Sequence, residues 1–227
     1  MSHGIEVSTK DCTALTDAEL AEMADLSTAS RAAAFEIGFL SKQREEWVLV
    51  THAREEGKLR GYAFSTLERI GGTPSLLVGL ASFTRTRSAA AALDGVMHDL
   101  YRRAVLAFPD EDVLVGARLV HPAGYRAFVG LEEVVPRPEH KATGEERAWG
   151  RRLAKRFGAE GRIDDRSFVI IGDENPSGVL DFEPTKLPRE AEVYAAAFPA
   201  LDDARRDTLV TFGWAMAEPL AAGTLPR

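Results

Sequence analysis

Cysteine is nearly absent from this chain of 227 residues, which has a single one, Cys12. One cysteine cannot close an intramolecular disulfide, so the apolar core must hold the fold, as is usual in a reducing compartment. The chain has five histidines, and no cluster of them with cysteine has the spacing of a zinc site. The sequence therefore predicts neither a disulfide-stabilised protein nor a metal site.

Positive charge is in the minority, with 28 Lys and Arg residues against 35 Asp and Glu residues and a net charge of −7. A surface of this sign repels nucleic-acid phosphates and anionic lipid headgroups, so we expect neither as a partner. No apolar run approaches the roughly 18 residues that a membrane-spanning helix needs. The opening residues MSHGIEVSTKD are too polar for a signal peptide. These features predict a cytoplasmic globular protein.

The most informative stretch is a strand–helix–strand pattern. Residues 76–83 and 113–120 are near-continuous apolar runs, typical of buried strands. Between them, apolar residues recur at i, i+3, i+4 and i+7 over residues 89–108, which predicts an amphipathic helix. A helix that connects two buried strands is a crossover, and it places those strands parallel.

Weaker patterns complete the predicted architecture. The fold class is α/β, with a mixed sheet in which an antiparallel meander precedes the β-α-β unit and helices cover both faces. Residues 1–140 form the core, and residues 141–227 form a C-terminal extension that completes the sheet and adds helices within the same domain. The remaining predicted elements are strands at 5–7, 47–52, 62–67, 167–172 and 179–182 and helices from Thr16 (with Glu19 at capping-box spacing), at 32–40, 145–157, 188–198 and 202–220.

An anion site is predicted where the strand 76–83 opens into the helix. The first backbone N–H groups of a helix have no partner within the helix and favour a negative charge in front of them. Arg85 and Arg87 stand directly before that opening, followed by Ser88 and a run of small alanines. The alternative is ordinary: arginines at a strand end are often solvated, Ser is a good helix cap, and Ala is a good helix former.

The order of elements and the loop Arg85-Thr86-Arg87-Ser88-Ala89-Ala90 resemble the GNAT (GCN5-related N-acetyltransferase) family. That family has the loop pattern Gln/Arg-x-x-Gly-x-Gly/Ala; here the first Arg and the last Ala match, and Ser88 replaces the middle Gly. The resemblance covers roughly residues 5–135. It implies acetyl-CoA or another acyl-CoA as cofactor, lying between the strands 76–83 and 113–120. The cofactor-binding residues that it implies are Phe83, Arg85, Arg87, Ser88, Ala89 and Ala90.

The resemblance also suggests catalytic residues after the strand 113–120. Many enzymes of the family carry an Asn there and a Tyr seven residues later as general acid; this chain has His121 and Phe128 at those places. His121 is the candidate proton acceptor. Tyr125, one helical turn before Phe128, is the candidate donor to the thiolate leaving group. The alternatives are a histidine bonded to backbone and a tyrosine at the core edge with its hydroxyl satisfied.

Two functions remain open from the sequence. The first is an N-acyltransferase that acts on a small-molecule amine by direct transfer from acyl-CoA, with Glu36 as a candidate carboxylate for the amine. A solvated helix face also explains Glu36. The extension then covers the acceptor site or forms a homodimer surface. The second is a binding or regulatory module of the same shape without transfer chemistry. An open gap between the strands 76–83 and 113–120 would favour the enzyme.

Overall fold

The computed structural model describes residues 4–30, 35–172 and 178–225. In this part of the chain, ten strands form one sheet and six α-helices pack around it. A 3₁₀ turn at Cys12–Ala14 and a 3₁₀ helix at Pro122–Phe128 add to these. The strands are β1 (Glu6–Asp11), β2 (Leu49–Glu55), β3 (Lys58–Ile70), β4 (Thr73–Phe83), β5 (Val113–Leu119), β6 (Glu132–Val135), β7 (Ile163–Asp164), β8 (Val169–Ile170), β9 (Leu180–Asp181) and β10 (Thr208–Ala215). The helices are α1 (Asp17–Ser30), α2 (Ile37–Glu46), α3 (Ala89–Ala107), α4 (Gly144–Arg156), α5 (Arg189–Ala195) and α6 (Ala217–Ala221).

The sheet is mixed, which confirms the predicted fold class. Its strand order is β1-β2-β3-β4-β9-β5-β10-β8-β7, and β6 pairs with β10 outside this path. Strands β1 to β4 form the predicted antiparallel meander. Strands β4, β9 and β5 are parallel to one another, as the crossover through α3 requires. The remaining pairings of β10 are antiparallel.

Helices cover both faces of the sheet, as predicted. On one face lies α3, whose Asp99 carboxylate accepts a hydrogen bond from the Thr9 hydroxyl at 2.6 Å, while that hydroxyl lies 2.7 Å from the hydroxyl of Thr51. His52, the next residue, points to the opposite face because side chains alternate along a strand. There its Nε2 lies 3.5 Å from the Met23 sulfur of α1. The two contacts place α1 and α3 on opposite faces.

Strand β4 contains a bulge close to the point where it separates from β5. Two residues of β4, Gly79 and Leu80, stand opposite the single residue Phe64 of β3. An extra residue on one strand bends that strand and increases its local twist. Strand β4 pairs with β5 over three residues, Ser75–Leu77 opposite Leu114–Gly116. This pairing ends just before the bulge.

The predicted helix at 202–220 is wrong. Residues Thr208–Ala215 form β10, a nearly fully buried strand between β5 and β8, and only Ala217–Ala221 are helical. An apolar run rich in Val, Thr, Phe and Trp has no periodicity that separates a buried strand from a buried helix. The open edge of β5 decides the matter, because it supplies backbone hydrogen-bond partners over the whole length of β10.

Several element bounds also differ from the prediction. Strand β1 extends to Asp11, and α2 begins at Ile37; of its predicted first residues, 32–34 lie outside the described ranges. The helix start at Thr16 is confirmed, because the backbone N–H of Thr16 donates to the Glu19 carboxylate at 2.9 Å and the Thr16 hydroxyl accepts from the Glu19 N–H at 3.3 Å. Local capping chemistry was thus readable, whereas strand lengths follow from pairing partners far away in sequence.

Candidate functional site

A slot lies between β4 and β5, on the carboxyl side of their three paired residues. Beyond that point Leu180 of β9 pairs with Ala81 of β4 on one side and with Leu119 of β5 on the other. Neighbouring strands lie about 4.8 Å apart, so the two walls of the slot are about 9.5 Å apart. The slot therefore has the width of one extended chain.

Residues 178–183, here called the slot segment, fill this slot. The Ala81 N–H donates to the Val179 carbonyl at 2.9 Å, and Arg118 Nε donates to the Gly178 carbonyl at 2.7 Å. Residues 178–182 are all buried. The slot segment runs parallel to β4, so Gly178 lies at the inner end of the slot. Glu183 lies at the other end, here called the mouth, where β4 and β5 end. The sequence had predicted a strand at 179–182, but not its place in the sheet.

The indole of Trp47 forms the floor of the slot at its inner end. A Cβ on Gly79 would lie 2.2 Å from the indole, and a Cβ on Gly178 would lie 3.1 Å from it. The Trp47 Nε1 donates to the Gln43 side-chain oxygen at 3.1 Å, which holds the ring in place. Two glycines are therefore needed for the strand and the slot segment to pass over this ring.

The loop between β4 and α3 forms the mouth. Arg85 is ion-paired with Glu183 of the slot segment. The Ser88 hydroxyl donates to the Glu55 carboxylate at 3.2 Å, and Arg60 Nε donates to the same carboxylate oxygen at 2.9 Å. Ser88 occupies the cap position of α3 but makes no side-chain capping bond. Two carboxylates of the chain itself thus stand at the predicted anion site.

His121 also lies at the mouth, directly after β5. Its Nδ1 accepts the backbone N–H of Ala123 at 3.1 Å, so Nε2 carries the proton of the neutral ring. Burial lowers the pKa of His121 below its usual 6.5, while the charge of Glu183 raises it and that of Arg85 lowers it. The structure therefore brings together His121, Arg85 and Glu183 at the carboxyl end of the parallel strands, where open α/β sheets place ligands.

Tyr125 is buried in the 3₁₀ helix, away from the solvent. Its hydroxyl donates to the Pro136 carbonyl at 3.0 Å, and its ring stacks on Tyr194 with centroids 4.7 Å apart. Burial raises the pKa of the hydroxyl far above 10, which keeps it protonated. The hydroxyl proton that Tyr125 would donate to the thiolate is thus engaged in a hydrogen bond to a backbone carbonyl. The catalytic role of Tyr125 stays a prediction.

The other predicted residues fall in different places. Phe83 is buried and lines the slot, with its ring edge-on to Phe182 at 5.8 Å. Arg87 is exposed at the mouth, and Ala89 and Ala90 form the first turn of α3. Glu36 is exposed at the start of α2. Because α2 has ten residues and is therefore about 15 Å long, Glu36 lies about that far from Trp47, which follows the other end of the helix and forms the floor of the slot. Their binding roles stay predictions.

Sequence reasoning missed the side chains that hold the slot segment. Arg118 is fully buried on β5, and its guanidinium lies over the Phe157 ring at 5.5 Å. A signal for it existed, because a lone arginine inside the apolar run VLVGARLV is unusual unless its charge has a partner. Glu183 and Glu55 had no such signal, since acidic residues at strand ends are mostly solvated.

Three further observations concern sites elsewhere. A cavity of about 350 Å³ has a described lining that includes Lys141, Ala142, Arg147 and Arg166, none of which belongs to the slot. Within residues 4–30, 35–172 and 178–225, no three His, Cys, Asp or Glu side chains are grouped so that they could hold a metal ion. Nor does any helix in these ranges combine the length and apolar character that crossing a membrane requires.

Comparison with known proteins gives similarity to solved structures only. No protein-family model and no curated protein matches the chain. It resembles the ribosomal-protein-S18-alanine N-acetyltransferase from Escherichia coli (12% identity over 62% of this chain and 86% of that one, TM-score 0.39). It also resembles a GNAT family acetyltransferase from Brucella melitensis in complex with acetyl-CoA (17%, 57% and 84%, 0.40) and aminoglycoside 6'-acetyltransferase type Ii (10%, 59% and 88%, 0.41). At this level the likeness says nothing about what the chain binds. The order meander, splayed strand, helix, strand in this structure is itself the GNAT-like order that the sequence indicates.

Proposed function

We propose that this chain is an acyl-CoA-dependent N-acyltransferase that acts on a small-molecule amine. The observation that carries the proposal is the slot: two parallel strands that separate by the width of one extended chain and open toward a loop with Arg85 at the start of α3. A long, thin ligand with an anionic end matches this shape. Acetyl-CoA or another acyl-CoA is such a ligand.

The residues of the slot fit that cofactor. Ala81 presents a backbone N–H into the slot, Gly79 lets β4 pass close to the Trp47 indole that forms the floor, and Phe83 lines the wall. Arg85 supplies a guanidinium at the mouth, where a pyrophosphate also meets the N-terminal end of α3. Acyl-CoA, when bound, supplies an activated acyl thioester.

His121 is the residue of this chain that we assign to proton transfer. Its lowered pKa keeps the ring neutral at pH 7 with the proton on Nε2, so the ring takes the acceptor amine's proton at Nδ1 and gives up the hydrogen bond from the Ala123 N–H. As the amine nitrogen bonds to the acyl carbon, the thioester C–S bond breaks, and the CoA thiolate leaves and takes up a proton from water. Transfer is direct, with no covalent bond to the protein. Orientation of two bound reactants accounts for much of such a rate, with effective molarities of about 10⁵ M or more.

The test is cofactor binding followed by transfer. We expect acetyl-CoA at about 100 times its dissociation constant to stabilise the protein by about 2.7 kcal/mol, which raises the unfolding midpoint by roughly 5–10 °C. Release of free thiol from acetyl-CoA, measured with a panel of small amines, then reports activity. The matched variants are Arg85→Gln and Arg69→Gln, because both remove an arginine from a half-exposed ion pair with a glutamate. Only Arg85→Gln should reduce the midpoint rise.

A second candidate function has its own observation. The slot segment occupies the slot, and the Tyr125 hydroxyl is bound to the Pro136 carbonyl. A binding or regulatory module that has lost transfer chemistry would show both features permanently. Such a module predicts no midpoint rise with acetyl-CoA or with free CoA, for the wild type or for any variant that loosens the slot segment.

A further inference from the structure

We propose that the slot segment, residues 178–183, is a built-in inhibitor of the cofactor slot that must withdraw before acyl-CoA binds. This inference rests on the proposed function and adds a means of regulation to it. Two separate kinds of overlap support it: the slot segment occupies the place of an extended ligand, and its carboxylate occupies the place of an anionic group.

The positional overlap involves the backbone. A parallel strand is held by hydrogen bonds from both neighbours, and the slot segment uses the Ala81 N–H through the Val179 carbonyl. Phe182 packs against Phe83 on the wall of the slot. Any second extended chain between β4 and β5 would need the same donor and the same wall. The slot segment and the pantetheine arm of CoA therefore exclude each other.

The charge overlap lies at the mouth. Glu183 pairs with Arg85, the guanidinium that the proposed function assigns to the pyrophosphate. Burial lowers the pKa of His121, and the charge of the same carboxylate opposes this lowering, so Glu183 also acts on the proposed proton acceptor. A bound pyrophosphate would have to replace Glu183 at Arg85. Phosphate and Glu183 thus compete for one cation.

The contacts of the slot segment also indicate how it can leave. Its strand, β9, has only two residues, and its ion pair with Arg85 is about 40% exposed on both sides (42% and 41%). Exposed ion pairs are weak because water and salt screen them. Burial of Val179, Leu180 and Phe182 favours the seated state. The apparent affinity for CoA is therefore lowered by the fraction of molecules in which the slot is free.

The first experiment measures CoA affinity by isothermal titration calorimetry. We expect Glu183→Gln to bind CoA about two- to fivefold more tightly than the wild type, the change that loss of an exposed ion pair allows. Arg85→Gln should bind at least as much more weakly, because it removes a ligand of the pyrophosphate. The matched control is Glu160→Gln, which removes an exposed pairing with Lys155 outside the slot and should leave affinity unchanged. A structural ion pair would instead give changes of the same sign for Glu183→Gln and Arg85→Gln, which would overturn the inference.

The second experiment separates this inference from the proposed function. Hydrogen exchange of the buried amides of residues 179–182 is followed with and without CoA. Withdrawal predicts that CoA accelerates their exchange at least tenfold. CoA binding with unchanged protection would refute the withdrawal and leave the acyltransferase standing. If neither the wild type nor Glu183→Gln binds CoA, the slot segment is a permanent strand, and both the proposed function and this inference fail.

Discussion

Replacement of Gly178 by alanine should unseat the slot segment without unfolding the protein. Gly178 has φ +143°, a backbone region that is essentially restricted to glycine and costs other residues about 1–3 kcal/mol. Its new Cβ would also lie 3.1 Å from two backbone atoms of Gly79 and from the Trp47 ring. Since the Gly79 backbone belongs to β4, it can move little. Strain and contact together should cost the seated state about 2–4 kcal/mol.

Hydrogen exchange measured residue by residue is the assay. A loss of 2–4 kcal/mol in the free energy of local opening speeds exchange by roughly 30- to 900-fold. We expect this acceleration for the amides of residues 179–182. The paired amides of Ser75–Leu77 in β4 and Leu114–Gly116 in β5 serve as an internal reference, because they belong to the core of the sheet and not to the slot. Their exchange should change less than threefold.

The control for this substitution is Gly223→Ala. Gly223 also has a positive φ, +64°, but a Cβ there meets nothing within 4 Å. Its cost of about 1–2 kcal/mol should leave the exchange of residues 179–182 unchanged. Equal acceleration of the slot segment and of the β4–β5 reference in Gly178→Ala would refute the reasoning, because it would mean that the slot segment opens only when the whole sheet does.

Three other predictions address proton transfer and stability. His121→Gln should lower kcat about 10²- to 10⁴-fold. It should also remove the acid limb of the pH profile of kcat/KM, which in the wild type should have an apparent pKa below 6.5 because burial disfavours the charged ring. Initial rates measured between about pH 5 and 8 test both expectations. Tyr125→Phe should lower the free energy of unfolding by about 1–3 kcal/mol, because the Pro136 carbonyl loses its donor; urea titration measures the loss. A hydroxyl that serves only this bond leaves kcat within about threefold, whereas a drop of about a hundredfold would support the predicted catalytic role of Tyr125. Burial raises the pKa of Glu19, but hydrogen bonds from Lys10 and from Thr16 at the start of α1 favour the charged form more strongly. The resulting pKa is about 2. This stabilisation is present above about pH 4.5 and lost as the pH falls toward 2, so Glu19→Gln should be less stable by about 1–2 kcal/mol at pH 7, after allowance for partial exposure, and equal to the wild type near pH 2 in urea titrations.

The helix α3 and its flanking strands could be predicted because their patterns are local. Leu93, Val96, Met97 and Leu100 recur with the helical period, and all are buried. The capping box at the start of α1 likewise depends on residues three positions apart. A helix that connects two neighbouring strands forms a crossover and places them parallel, so the parallel β4–β5 pair also followed from the sequence.

The surroundings of the candidate site could not be predicted in the same way. Arg85 and His121 follow directly from strand ends, but their charged neighbour Glu183 is about 60 or more residues away along the chain. No periodicity relates such residues; their contact depends on how β9 enters the sheet. The same holds for Tyr125, whose stacking partner Tyr194 belongs to α5.

The sequence by itself therefore determined the crossover, the basic loop before α3 and the GNAT-like order of elements, because periodicity, caps and turn residues act over a few positions. The tertiary structure alone decided that β10 is a strand and that residues 178–183 lie between β4 and β5. Both outcomes depend on backbone donors and acceptors of distant strands that must be satisfied once they are buried. The slot exists in the sequence as two strands and a loop, whereas its occupant is visible only when the chain is folded.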